Sequence, residues 1–185
     1  MTAFYLALLA ALIAGFGARD QVTVAALAAR QSGHVALLVM AVLSSIGTAL
    51  FAGYAAILFL DILAPMARLF MAALALLLAG LESIIIRPRA KMKEPTQSLG
   101  AAMLVIVASQ LTDAARFLIF GIAIATGQVW SAAAGGALAG IALMGMAWSG
   151  AELVVSPKTR QIRRAAGVVL ILVALYTGLV AVGIL

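Results

Sequence analysis

The sequence predicts an all-α integral membrane protein with six transmembrane helices, arranged as two inverted three-helix repeats. Three observations carry that prediction. Of the 185 residues, 66% are hydrophobic and only 10% are charged, and the mean hydropathy is +1.22. A soluble domain is about 45–50% apolar and about 25% charged. The apolar runs are long enough to cross a bilayer, and basic residues fall between them in a regular pattern. Finally, the two halves of the chain match each other at a single offset.

The helices follow in order. Helix 1 is expected from about Thr2 to Ala29. Its length of about 42 Å exceeds the roughly 30 Å hydrocarbon core, so it must tilt or bend, with Gly15 and Gly17 as the weak point. A short turn, Arg30-Gln31-Ser32-Gly33-His34, leads into helix 2, about Val35 to Leu60. Asp61–Pro65 is the next turn, and Pro65 suits the first position of helix 3, which runs to about Ile86. Arg87–Pro95 is a charged linker stopped by a proline near each end. Helix 4 is expected from about Thr96 to Thr126 and helix 5 from about Val129 to Val155. Helix 5 is rich in small residues, and its Gly136-x-x-x-Gly140 lets helix backbones approach closely. Ser156–Arg164 reads as a basic turn, with helix 6 from about Ile162 to the end. The organisation is therefore 1–86, a first repeat; 87–95, a basic cytoplasmic linker; and 96–185, a second repeat.

Charge sets the orientation. Nine of the twelve Lys and Arg fall in turns 1–2, 3–4 and 5–6, on one side. Arg68 falls near the other side, while Arg19 and Arg116 lie within spans. The nine are expected to be cytoplasmic, with both termini outside. The net charge of +6 is thus explained by topology, and no nucleic-acid partner is expected. Met1–Phe16 lacks a basic n-region, so no cleaved signal peptide is expected, and a bacterial inner membrane is the default location. There is no cysteine, hence no disulfide framework and no thiolate metal site. No phosphate loop, Gly-x-Ser-x-Gly or His-Glu-x-x-His occurs, so no enzyme activity and no cofactor are expected. Any transport would be driven by a gradient.

Two polar patches interrupt the spans near their middles. One is Gly15–Gln21 (G-F-G-A-R-D-Q) in helix 1, and the other is Ala108–Arg116 (A-S-Q-L-T-D-A-A-R) in helix 4. A charge at that depth costs about 2.5 kcal/mol or more, so such groups serve transport, catalysis or specific helix pairing. The patches align 95 positions apart, Gly15 opposite Gln110, and Arg68 meets Arg163 at the same offset. Three helices per repeat is an odd number, so the second must insert upside down. Inverted repeats recur in secondary transporters, with the site where the repeats meet.

These residues resemble the GDT-one type manganese/calcium cation exchangers of the lysine-exporter superfamily. Their mark is a duplicated Glu-x-Gly-Asp-(Lys/Arg)-(Thr/Ser), once in helix 1 and once in helix 4. In the first motif Gly17, Arg19 and Gln21 fit, Ala28-Ala29-Arg30 follows, and Gly15 and Ala18 stand where the family has acids. In the second Asp113 fits, while Gln110 and Thr112 replace Glu and Gly. The resemblance implies Mn²⁺ or Ca²⁺ exchange against protons by alternating access. Asp113 would bind the ion, helped by Gln110, Thr112 and Asp20, with Arg19, Arg116 and Gln21 as ion-pair or coupling residues. Hard ions of this kind take oxygen ligands. Two residues turn a helix by about 200°, so Asp20 stands in for the acid missing at Ala18 only if the helix unwinds locally.

Other readings stay open. Asp113 and Arg116, spaced i, i+3, can pair on one helix face, and the patch would then be a structural ion-pair cluster in a membrane scaffold or partner subunit. With arginines at the midplane, export of a small anionic or amino-acid-like solute is a third reading. Asp61, Glu82 and Glu152 read as interfacial residues reaching water, and His34 as a solvated turn residue. Ser44, Ser45 and Thr48 read as structural hydrogen-bonding groups, and Trp130 and Trp148 as interface anchors. The linker 87–93 sets topology or touches lipid head groups. A homo-oligomer is left open.

Overall fold

The computed structural model describes residues 1–30, 35–86 and 99–185. His34 with its turn, and the basic linker, lie outside the described residues. All regular structure among the described residues is helical: α1 (Thr2–Gly15), α2 (Arg19–Arg30), α3 (Val35–Leu60), α4 (Pro65–Ile85), α5 (Leu99–Leu111), α6 (Ala114–Thr126), α7 (Val129–Ser149), α8 (Ala151–Val155) and α9 (Pro157–Ala181). Four of these, α3, α4, α7 and α9, are each long and apolar enough to cross a membrane. The number rises to six if each of two bent pairs, α1 with α2 and α5 with α6, is one span. Such helices are compatible with a multi-pass membrane protein.

Local chemistry explains the ends. Pro65 opens α4, where its missing N–H costs no hydrogen bond. Gly127, in the left-handed region at φ 67°, closes α6. Arg68 folds back on the preceding turn, donating to the Leu60 and Leu63 carbonyls at 2.7 and 2.8 Å. Ser156 caps α9 by accepting from the Thr159 N–H at 3.2 Å, and Pro157 follows it. This cap corrects the expected basic turn 156–164. Helix α9 begins at Pro157, five residues before Ile162, so Lys158, Arg160, Arg163 and Arg164 are helical. Expected helix 5 also ends sooner, at Ser149, with the short α8 after Gly150.

Both polar patches sit at breaks. α1 and α2 meet at 60°, with Gly17 at φ 73°, a conformation that glycine adopts freely. The bend falls where Gly15 and Gly17 predict it. α5 and α6 meet at 50° around Thr112 and Asp113, a break in what the sequence suggests is one continuous helix. Asp113 takes extended geometry there, and its carboxylate accepts from the Ala115 N–H at 3.3 Å, capping α6.

Small residues bring the helices together. α7 packs between α1 and α3, and α4 lies against α9 and α6. A Cβ on Gly80 would stand 2.8 Å from the Gly167 carbonyl oxygen, and one on Gly167 would stand 2.9 Å from that of Gly80. The two backbones therefore touch, and dispersion contacts replace the hydrophobic drive that lipid does not supply. Of the predicted Gly136 and Gly140 pair, Gly136 seats Ile119 and Gly140 seats Ser45. The resulting core is mostly alanine, and large apolar side chains such as Leu104, Leu172 and Tyr176 face outward.

Candidate functional site: a buried cluster of three acids and three arginines

The breaks turn polar side chains inward. At the first, Gly17 donates its N–H to Gln21 Oε1 at 2.6 Å, and the Asp20 carboxylate accepts from the Gln21 N–H at 2.7 Å. Gln21 Nε2 donates to the Leu143 carbonyl at 2.9 Å, which ties the break to α7. At the second break Asp113 is completely buried. Phe16–Ala18 is not helical, while Arg19 and Asp20 already belong to the first turn of α2. Asp20 and Asp113 meet at one guanidinium, with Arg116 Nη1 3.7 Å from Asp20 Oδ2 and 4.0 Å from Asp113 Oδ2.

The rest of the Arg116 guanidinium is hydrogen-bonded. Its Nε and Nη2 donate to Thr48 Oγ1 at 3.1 and 2.9 Å, and Nη2 donates to Ser45 Oγ at 2.8 Å. Thr48 Oγ1 also lies 3.2 Å from Gln110 Oε1, so Gln110 supports the arginine rather than the acids. Ser45 and Thr48 hydrogen-bond across helices, and the group they hold is the central charge of the cluster. Ser44 Oγ is buried and finds no partner among the described residues.

Two members were not anticipated. Glu82 was expected at the water interface, yet it is 6% exposed and pairs with Arg163. Arg163, expected in a cytoplasmic turn, is 3% exposed. Its Nη2 also lies 3.7 Å from Asp113 Oδ1, and its Nη1 donates to the Gly17 carbonyl at 3.4 Å. Arg19, half-buried, stands 3.5 Å from Glu82 Oε1 and donates to the Thr112 hydroxyl and carbonyl at 2.7 and 3.1 Å. Thr112 is exposed and faces Arg19, so it is not brought to the acids.

A signal for both residues exists in the sequence. Ala72, Ala75, Ala79 and Glu82 share one small-residue face of α4, and Thr159, Arg163 and Gly167 share one face of α9. A charge on such a face points at a neighbouring helix, whatever its distance from the helix end. Asp61 and Glu152 are exposed, as expected. Trp130 is also exposed, whereas Trp148 packs half-buried against the core around Leu27 and Met144.

Charge bookkeeping is simple: Asp20, Glu82 and Asp113 face Arg19, Arg116 and Arg163. Among the described residues no three His, Cys, Asp or Glu stand together as a metal-holding group. Two buried carboxylate oxygens, Asp113 Oδ1 and Glu82 Oε1, have no hydrogen-bond partner among the described residues. The guanidiniums 3.7 and 3.5 Å away hold them by charge alone. Two cavities flank the cluster. One of about 30 Å³ touches Arg163 near Ser83 and Ser156, and an apolar one of about 300 Å³ touches Thr48 and Arg116 among Phe51, Leu78 and Phe120. No protein-family model, curated protein or solved structure matches the chain.

Proposed function

We propose that the chain is a gradient-driven secondary transporter, of the kind that exchanges Mn²⁺ or Ca²⁺ against protons. Its six spans would form two inverted three-helix repeats, with the basic turns cytoplasmic and both termini outside a bacterial inner membrane. The observation that carries this reading is the pair of helix breaks. They lie 95 positions apart, and each delivers an aspartate to the same guanidinium. A break in a membrane helix frees backbone groups that lipid cannot satisfy, and it is tolerated where it lines a site.

In this reading the arginines occupy the cation's place when the site is empty. Arg19, Arg116 and Arg163 together neutralise Asp20, Asp113 and Glu82. An incoming divalent ion displaces a guanidinium and takes the carboxylate oxygens, first among them the two that lack hydrogen bonds. Protons compete for the same oxygens and supply the exchange.

The complete charge balance favours a second reading, a structural cluster in a scaffold or partner subunit. One experiment separates them: Mn²⁺ and Ca²⁺ flux into proteoliposomes under an imposed pH gradient, for wild type and Asp113→Asn. Gradient-dependent flux that disappears in the variant, with folding retained, supports transport. Absence of flux for either ion in folded wild-type protein overturns the cation reading.

A further inference from the structure

The two breaks are tied to their neighbours in matching ways, but α4 and α9 do not sit beside them in matching ways. Arg116, in α6, donates to Thr48 of α3, and Gln21, in α2, donates to the Leu143 carbonyl of α7. Arg116 follows Gln21 by 95 positions, and Leu143 follows Thr48 by 95, the offset that relates the two halves of the chain. α4 and α9, the last long helix of each half, pair with each other through the touching backbones of Gly80 and Gly167.

This pair leans toward one end of the molecule. The Met1 amino group donates to Gln128 Oε1 at 3.3 Å, so the start of α1 and the end of α6 lie together. The pair packs on the helices of that end, α4 closely on α6 and α9 lightly on α1. It makes no comparable packing on α2 or α5, the halves of the broken helices at the opposite, Arg30 end, where α2 meets the short α8 instead. Gly121 of α6 marks the difference: a Cβ there would stand 3.1 Å from the Ala75 methyl of α4. Ala26 of α2, 95 positions earlier, lines a cavity of about 530 Å³ with Ala29, Val155 and Ser156.

The charge cluster divides along the same seam. The α4–α9 pair contributes Glu82 and Arg163, which are bonded to each other. The other helices contribute Arg19, Asp20, Asp113 and Arg116, so each side is neutral by itself. The contacts across the seam are long: Arg19 to Glu82 at 3.5 Å, Arg163 to Asp113 at 3.7 Å, and Arg163 to the Gly17 carbonyl at 3.4 Å. Charge-assisted hydrogen bonds are about 2.7–2.9 Å. Sliding along this seam strands no buried charge, whereas any motion that parted Glu82 from Arg163 would.

Given the transporter reading, on which this rests, we propose that α4 and α9 rock as one unit against the other helices, and that this structure is the state closed at the Met1 end. In the second state the unit packs on α2 and α5, Ala26 meets α9 as Gly121 here meets α4, and the Gly121 face of α6 is released. Inverted halves offer the unit equivalent seats at opposite ends, and two packings of similar energy make a bistable element. In the proposed orientation the present state faces the cytoplasm.

The test is pulsed electron–electron resonance on spin-labelled cysteine pairs in nanodiscs, since the chain has no cysteine of its own. Met66→Cys with Ala125→Cys spans α4 and α6 at the Met1 end. Ala29→Cys with Gln161→Cys spans α2 and α9 at the Arg30 end. Leu81→Cys with Val168→Cys lies within the unit. All six positions are exposed, and melting temperature checks each fold. Distances are recorded at neutral and at acid pH, each with and without calcium, because a ligand shifts a two-state equilibrium by its differential affinity. A second population is expected in which the 66–125 distance lengthens by several ångström, the 29–161 distance shortens, and the 81–168 distance is unchanged. Single unchanging distances in every condition, or an 81–168 distance that moves with the others, overturns the proposal. Ion flux without a second population leaves the transporter reading standing and removes only the rocking unit.

Discussion

Glu82→Gln is the sharpest test of whether the cluster is one electrostatic unit. The substitution keeps the shape of the side chain and removes its charge. Arg163 and Arg19 lose their shared partner, and three guanidiniums then face two carboxylates. Glu82 and Arg163 are both nearly fully buried, their side chains 4% and 3% exposed, so water does not screen the loss. Removing one member of a buried pair costs about 3–5 kcal/mol, because the other charge is left uncompensated. For a chain of this size each kcal/mol moves the melting temperature by about 2–4 °C, so a fall of about 6–20 °C is expected. Thermal unfolding of purified protein in detergent measures it. The double variant Glu82→Gln/Arg163→Gln restores two acids against two arginines, and it should recover at least about 1 kcal/mol relative to the sum of the singles. A Glu82→Gln melting temperature within about 2 °C of wild type, or strict additivity in the double variant, would refute the picture of a charge-balanced unit.

Other variants address separate links. Asp113→Asn keeps most of the α6 cap but also leaves three guanidiniums facing two carboxylates. A fall in melting temperature of the same order as for Glu82→Gln is therefore expected together with loss of flux, and flux is compared at a temperature where both proteins are folded. Thr48→Ala should destabilise more than Ser45→Ala. Thr48 accepts from two Arg116 nitrogens and contacts Gln110, while Ser45 Oγ accepts from one nitrogen, and each orphaned buried donor costs about 1–3 kcal/mol; equal melting temperatures would contradict this hydrogen-bond assignment. Gly17→Ala should cost about 1–2 kcal/mol from the left-handed backbone alone, and more because the new methyl meets Thr159, which thermal unfolding again reports. Gly167→Leu should separate α4 from α9, and a cross-link between cysteines placed across that crossing should form more slowly than in the Gly167 parent.

Most of the helical framework is legible in the sequence because long apolar runs, prolines and glycines mark their own limits. The ends of α3 and α4, and the bend at Gly15 and Gly17, fall where those residues put them. The break before α6 is harder to read. No glycine marks it, and Asp113 makes it by acting as an N-cap inside an apolar run, a role that its place before Ala114 and Ala115 only hints at. The beginning of α9 was written in Ser156-Pro157, but the four basic residues that follow suggest a solvated turn. That same charge pattern hides Arg163. Glu82 is hidden by its nearness to a helix end, although its spacing from Ala75 and Ala79 puts it on the inward face. Tertiary pairing decides both cases, since a buried charge depends on a partner more than eighty residues away.

The charges of the cluster are divided unevenly along the chain. Residues 1–86 contribute Arg19, Asp20 and Glu82, an excess of one negative charge. Residues 99–185 contribute Asp113, Arg116 and Arg163, an excess of one positive charge. Neither part can bury its share alone without a stranded ion, and two copies of the same part would double the imbalance. Assembly is therefore selective: each part is the counterion of the other. Early in synthesis, Glu82 has Arg19 within reach but must await Arg163, on the last helix, to complete its pairing. The finished cluster becomes a record that the last helix has arrived.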